Sequence, residues 1–173
     1  MKKIILLVFA VALSFSSCEK DDICDANTPT TPRIVIGFYD FSNPSVLKSV
    51  TNLKVVGEGI SNGIVFNGSQ TTSSNTISIP LKTVGTSTSY SFTLNSGNTN
   101  PALVNTDIIK FDYTTKEIFV SRACGYKTIF SLDPTTPFTH TDGPTADQKW
   151  IKFISVEKNN IEFENETHLK IFF

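Results

Sequence analysis

Histidine, tryptophan and methionine are scarce in this chain of 173 residues, at two, one and one, and there are only three cysteines. Two histidines leave little material for a histidine-based triad or a three-histidine metal site. No G-x-S-x-G, H-E-x-x-H, C-x-x-C or glycine-rich phosphate loop occurs, so the common hydrolase, metallopeptidase, redox and nucleotide signatures are missing. Charge of either sign is not in excess: 15 basic residues stand against 16 acidic ones, which gives no electrostatic reason for a nucleic-acid partner. No apolar run approaches the roughly 20 residues that span a bilayer as a helix. What remains is 39% apolar and 18% charged, with 14 phenylalanines. That excludes a disordered chain, a coiled coil and a disulfide-dense miniprotein.

The first segment is a leader. Lys2-Lys3 precede the apolar run Ile4 to Leu13, and Ser16-Ser17 lead directly into Cys18. This layout resembles a bacterial lipoprotein signal peptide, in which the cysteine after the cut carries lipid. Phe15 departs from it, standing where an aliphatic residue is usual. The alternative is an ordinary secretory signal cut nearby, with Cys18 incidental. Cys18-Glu19-Lys20-Asp21-Asp22 resembles the signal that sends Bacteroidota lipoproteins to the outer face of the outer membrane; a solvated acidic leash is the other reading. The expected organisation is thus a signal peptide over 1–17, lipidated Cys18 and a tether over 18–32, and one domain over 33–173. Without the leader the basic count falls from 15 to 13 against 16 acidic residues, a net of −3.

With Cys18 assigned to lipid, Cys24 and Cys124 remain as an even pair in an oxidising compartment, and a disulfide between them is expected; two buried free thiols are the alternative. From Cys18 to Arg33 the chain extends at most roughly 50 Å, and pinning Cys24 to the domain cuts that to roughly 20 Å. Such a bond holds the domain near the membrane.

From Arg33 onward the hydrophobic period is two. Arg33 to Phe41 is apolar on both faces, as in a central strand. Short strands follow at 52–56 and 63–67. Ile77, Ile79 and Leu81 alternate with Thr76, Ser78 and Pro80, a half-buried strand that Pro80 marks as an edge. Tyr90, Phe92 and Leu94 alternate most cleanly. Ile109 to Tyr113 is expected to turn through Thr114-Thr115-Lys116 into Ile118 to Val120, followed by Tyr126 to Leu132. Trp150 to Val156, Ile161 to Phe163 and Leu169 to Phe173 close the chain. Only Asn43-Pro44 with Val46, Leu47 and Val50 has helical spacing. About ten short strands without alternating helices predict an all-β antiparallel β-sandwich, immunoglobulin-like in general architecture, with a partly closed barrel as runner-up.

Candidate chemistry is thin. Glu162, Glu164 and Glu166 alternate and suggest a solvated acidic stripe, with Lys152, Lys158 or Lys170 as partners; a catalytic carboxylate pair is the weaker reading. Asp142-Gly143 with Asp147 misses the spacing of a calcium loop. Both His140 and His168 read as surface residues. Residues 133–149 form a long connection, and Phe138 and His140 within it, with Trp150 at its exit, suggest a contact patch for a partner or a sugar ring. The alternative places Phe138 on the core and Trp150 within it. In Ser121-Arg122-Ala123-Cys124-Gly125-Tyr126, glycine beside cysteine suits a β-bulge.

The leader, Cys18 to Cys24, Thr30-Thr31-Pro32-Arg33 running into Ile34 to Asp40, and Ala123-Cys124-Gly125-Tyr126 together resemble a family of uncharacterised Bacteroidota lipoproteins. The resemblance spans nearly the whole chain and implies an envelope location and paired cysteines, with no activity to carry over. The expectation is a non-catalytic lipoprotein of the outer membrane, facing the cell surface or else the periplasm, that binds another envelope protein such as an outer-membrane protein. A glycan-binding surface lipoprotein is the alternative. No cofactor or metal is expected.

Overall fold

The structure is a computed structural model that describes residues 23–28, 30–145 and 147–173. The signal peptide expected over 1–17 and the lipidation expected at Cys18 fall outside the described residues. Ten strands form two sheets packed as a sandwich, with no closed barrel: β1 (Ile34–Tyr39), β2 (Lys54–Gly57), β3 (Thr76–Ile79), β4 (Ser87–Leu94), β5 (Asn105–Ser121), β6 (Gly125–Leu132), β7 (Phe138–Asp142), β8 (Phe153–Val156), β9 (Asn160–Ile161) and β10 (Leu169–Phe172). One sheet has the order β3-β1-β10-β8 and the other β2-β4-β5-β6-β9, with β7 also on β5. Among the described residues the only helical turn is 3-10, at Pro101–Leu103.

β1 is flanked on both sides and buried on both faces, as its double-sided apolar pattern requires. Its pairing with β10 is parallel, the one departure from the antiparallel expectation among these strands. β3 is an edge strand that Pro80 follows. Core side chains from the two sheets meet between them: Ile34, Ile36, Phe38 and Ile171 from one, Val55, Phe92, Phe111 and Phe130 from the other. Four fully buried phenylalanines each contribute roughly 1.5–3 kcal/mol relative to exposure. The β3–β4 connection is tied down by hydroxyls: Tyr90 donates to the Pro80 carbonyl, and Tyr113 to that of Lys82 at 2.8 Å. Burial pushes the Tyr90 hydroxyl pKa up to about 12.

Several local expectations are corrected. The segment after Asn43-Pro44 makes one turn and then extends, because Leu47 pairs with Tyr39 instead of continuing a helix. Residues 63–67 form only a bridge, Phe66 to Ser69, around Asn67 and Gly68, whose φ values of 49° and 85° fit a tight two-residue turn. β5 does not turn at Thr114-Thr115-Lys116. It runs for 17 residues, since threonines suit a strand and β6 pairs with it throughout that stretch. The real turn lies at Arg122–Cys124, where Gly125 takes φ +70° and the register shifts between Phe119 and Ser121.

His168 is fully buried rather than on the surface. Its Nδ1 accepts from the Val35 N–H at 2.9 Å, so the neutral ring carries its proton on Nε2. Burial is the main cause that holds its pKa below the ordinary value, against the raising influence of Glu166 and Glu164. Protonating Nδ1 also forfeits the Val35 bond. A depressed folded pKa means that this residue's contribution is complete above the unfolded value, about 6.5, and is lost as pH falls through the window between the two. Glu164, held low chiefly by Arg33, extends the loss below about pH 4.3. The urea midpoint is therefore expected to fall between about pH 7.5 and about pH 5.5 in the parent and to fall less in His168→Gln. Equal slopes in the two proteins would remove His168 as the source.

Candidate functional site: a disulfide-clasped hairpin arm

β4 accompanies β5 only as far as Asp112, with one further bond from Tyr113 N–H to the Thr86 carbonyl. Beyond that point β5 and β6 continue as a two-stranded arm, registered from Tyr113 opposite Leu132 to Ser121 opposite Gly125. Antiparallel alternation sends the N–H and C=O groups of Thr115, Glu117 and Phe119 away from β6. No strand pairs with them there among the described residues. This is an open sheet edge, and Thr114 to Glu117 are exposed along it.

The other edge of the arm is covered. Toward its base β6 pairs with β9, and farther out the Thr128 N–H donates to Thr31 Oγ1 at 3.0 Å. The N-terminal segment that supplies Thr31 is fastened at the tip: Cys24 and Cys124 form a disulfide spanning 100 residues of sequence, with 4.9 Å between Cα atoms. The paired-cysteine expectation holds. Thr28, Thr30, Val120, Tyr126 and Lys127 line a groove beside the bond. The segment ends in Arg33, whose guanidinium forks onto Glu164 at 2.6–3.0 Å.

The inward-facing row of the arm runs Leu132, Phe130 and Thr128, all buried, and then Tyr126, which is 68% exposed. Phe119 lies opposite Tyr126 and is 55% exposed. Their rings meet edge to face at 5.4 Å. The face that elsewhere makes the core thus continues past the opposing sheet and ends in two uncovered aromatics.

The other candidate residues are organised differently. Residues 133–149 are not structureless, because β7 forms within them and pairs with β5 from Asp107 to Phe111. Asp133 Oδ1 accepts from the Thr135 and Thr136 N–H groups, which turns the chain into that strand and lowers the carboxyl pKa. Phe138 packs against the core. Trp150 is only 7% exposed and donates its indole N–H to the Phe92 carbonyl at 2.9 Å. His140 faces Asp107, which is fully buried. Asp107 Oδ2 accepts from His140 Nε2 at 2.8 Å and the Ile151 N–H at 3.0 Å, and Oδ1 accepts from the Trp150 N–H at 3.4 Å. Phe138, His140 and Trp150 do lie along one seam, but they turn inward and fasten the connection to β5. Phe138 and Trp150 thus follow the alternative reading of this segment, on the core and within it. Asp107 was missed, although its spacing from Ile109 and Phe111 places it on the core face of the same strand.

The acidic stripe is also broken up. β9 ends at Ile161, so Glu162, Glu164 and Glu166 do not share a strand face. Glu164 holds Arg33 and Glu166 lies 3.7 Å from Lys158, while Lys170 pairs with Glu157. Asp142 spends its oxygens on the Gly143 and Gln148 N–H groups. Gly143 itself is required by space, since a Cβ there would stand 2.3 Å from the Thr106 carbonyl oxygen. No group of three acidic, histidine or cysteine side chains suited to a metal ion occurs among the described residues.

The fold and the arm define a class: an all-β sandwich whose N-terminal segment is bonded to the tip of a protruding hairpin. The chain belongs to the family of unknown function DUF6452, whose profile matches residues 52–173. That match includes the whole arm and Cys124, and begins after Cys24. No curated protein and no solved structure matches the chain.

Proposed function

We propose that the chain is a lipid-anchored, non-catalytic protein of the bacterial outer membrane that binds another envelope protein. The observation that carries this reading is the arm, whose open edge lies on a hairpin that the Cys24–Cys124 bond fixes to the segment following Cys18. An unpaired edge offers backbone donors and acceptors to an extended segment of a partner, and recognition of that kind needs no catalytic side chains. The acidic groups support the same reading, because Glu164, Glu157 and Asp107 are each committed to internal contacts. The leader supports the anchor, at about 0.8 kcal/mol per buried methylene.

The test is a mild-detergent pull-down from membranes with three C-terminally tagged chains: the parent, Cys18→Ala and Glu117→Pro. The proline removes one N–H of the open edge while leaving the ladder to β6, which uses the neighbouring residues. One stoichiometric partner is expected with the parent and not with the other two. Recovery of no partner by the folded, membrane-bound parent would overturn the reading.

A further inference from the structure

Phe119 and Tyr126 pair near the tip of the arm, and Ile23 directly precedes the cysteine bonded to its turn. Cys24 is bonded to Cys124 in the hairpin turn, which holds the adjacent Ile23, 81% exposed, at the same end of the arm. Arg122 is exposed in the same turn. We propose that this tip is a membrane-contacting surface, with Phe119, Tyr126 and Ile23 seated at the boundary between headgroups and acyl chains of the bilayer that holds the lipid on Cys18. The proposal rests on the anchor reading above and adds the face that meets the membrane.

The length of the leash carries the argument. Only six residue steps separate Cys18 from Cys24, which is roughly 20 Å at full extension. Without the bond, the distance to Arg33 would be roughly 50 Å, and any face of the sandwich could turn toward the lipid. With it, the tip stays within roughly 20 Å of the anchor. The chemistry of the tip suits that position. Tyr126 has an apolar ring and a polar end, the combination favoured at the membrane–water boundary, and the Arg122 guanidinium suits a lipid phosphate. The surface need not bind strongly by itself. The anchor already confines the domain at millimolar-scale effective concentration, so a weak preference of the tip is enough to orient it. An upright sandwich would then hold the end of β1 remote from the tether, where Tyr39, Phe172 and Phe153 lie level with one another, away from the lipid.

The experiment uses the mature chain coupled through Cys18 to a maleimide lipid, which the Cys24–Cys124 bond leaves as the one free thiol. It is placed in vesicles of phosphatidylethanolamine and phosphatidylglycerol with or without brominated acyl chains. Tyr126→Trp reports the tip, and Phe153→Trp, at another exposed position, reports the remote end; buried Trp150 gives a common background. Brominated lipid is expected to remove roughly half of the added emission at position 126 and little at position 153, as for a side chain at the headgroup–acyl boundary. Equal quenching at the two positions would overturn the proposal. So would shielding at position 126 that grows with protein density and ignores bromine, which would assign the tip to a contact between copies. The mass of the chain recovered from cells separates this from failure of the anchor. An unacylated Cys18 would overturn both readings, whereas an acylated chain with equal quenching would overturn only this one.

Discussion

Replacing Cys24 and Cys124 together by alanine is expected to lower the unfolding free energy by about 4–5 kcal/mol, the chain-entropy value for a loop near 100 residues. The bond joins the N-terminal segment to a turn 100 residues away, so its loss frees a large part of the unfolded ensemble at once. The folded arm should survive, because the β5–β6 register and the Thr31 contact do not pass through the sulfurs. Urea unfolding of the Cys18→Ala chain, with and without the second pair of substitutions, measures the difference. A loss below about 1 kcal/mol would show that the closed loop constrains little in the unfolded state. For the membrane geometry, the same double substitution lengthens the leash from roughly 20 Å to roughly 40 Å, as far as the Thr31 contact, and the lipid quenching at position 126 should fall with it.

Asp107→Ala is expected to cost about 3–5 kcal/mol, chiefly from two buried N–H donors left unpaired at about 1–3 kcal/mol each. The substitution strands His140 and leaves the Trp150 and Ile151 N–H groups without their acceptor in a place water does not reach. The damage should spread along the connection from β7 to β8, because this carboxylate is what draws Trp150 over Phe92. Chemical unfolding gives the magnitude, and Trp150 fluorescence reports the local effect as a shift to longer wavelength. A cost near that of an exposed substitution, about 0.5 kcal/mol, would contradict the role assigned to Asp107. His140→Ala combined with Asp107→Ala should cost less than the two single losses added together, since the residues share one bond.

Much of the sandwich is legible in the sequence because burial on one face imposes a period of two. The Tyr90-Phe92 alternation and the doubly apolar 34–39 segment place β4 and β1 with no tertiary information. The failures occur where a distant partner decides the outcome. Thr114-Thr115-Lys116 is polar enough to resemble a turn, but β6 lies alongside it and keeps it extended. Phe138 to Asp142 carries four polar residues and is bounded by Pro137 and, past Gly143, Pro144, which hides a strand that forms against a free edge of β5. The candidate site suffered from the same limit. Cys24 and Cys124 can be paired by counting, yet what their bond holds depends on the turn lying at residues 122–124 and not at 114–116. Phe119 and Tyr126 meet across that turn, and neither reads as a surface residue from its own neighbourhood. Asp107 was legible in principle: an acidic residue in step with Ile109 and Phe111 points at the core and needs partners there.

Mass spectrometry of the mature protein extracted from membranes tests the central claim most directly. The account predicts an acylated N-terminus at Cys18 and, in the non-reduced tryptic digest, residues 21–33 linked to residues 123–127. An unmodified Cys18 with a different N-terminus, or free thiols at Cys24 and Cys124, would contradict a lipid-anchored domain clasped to its own tether.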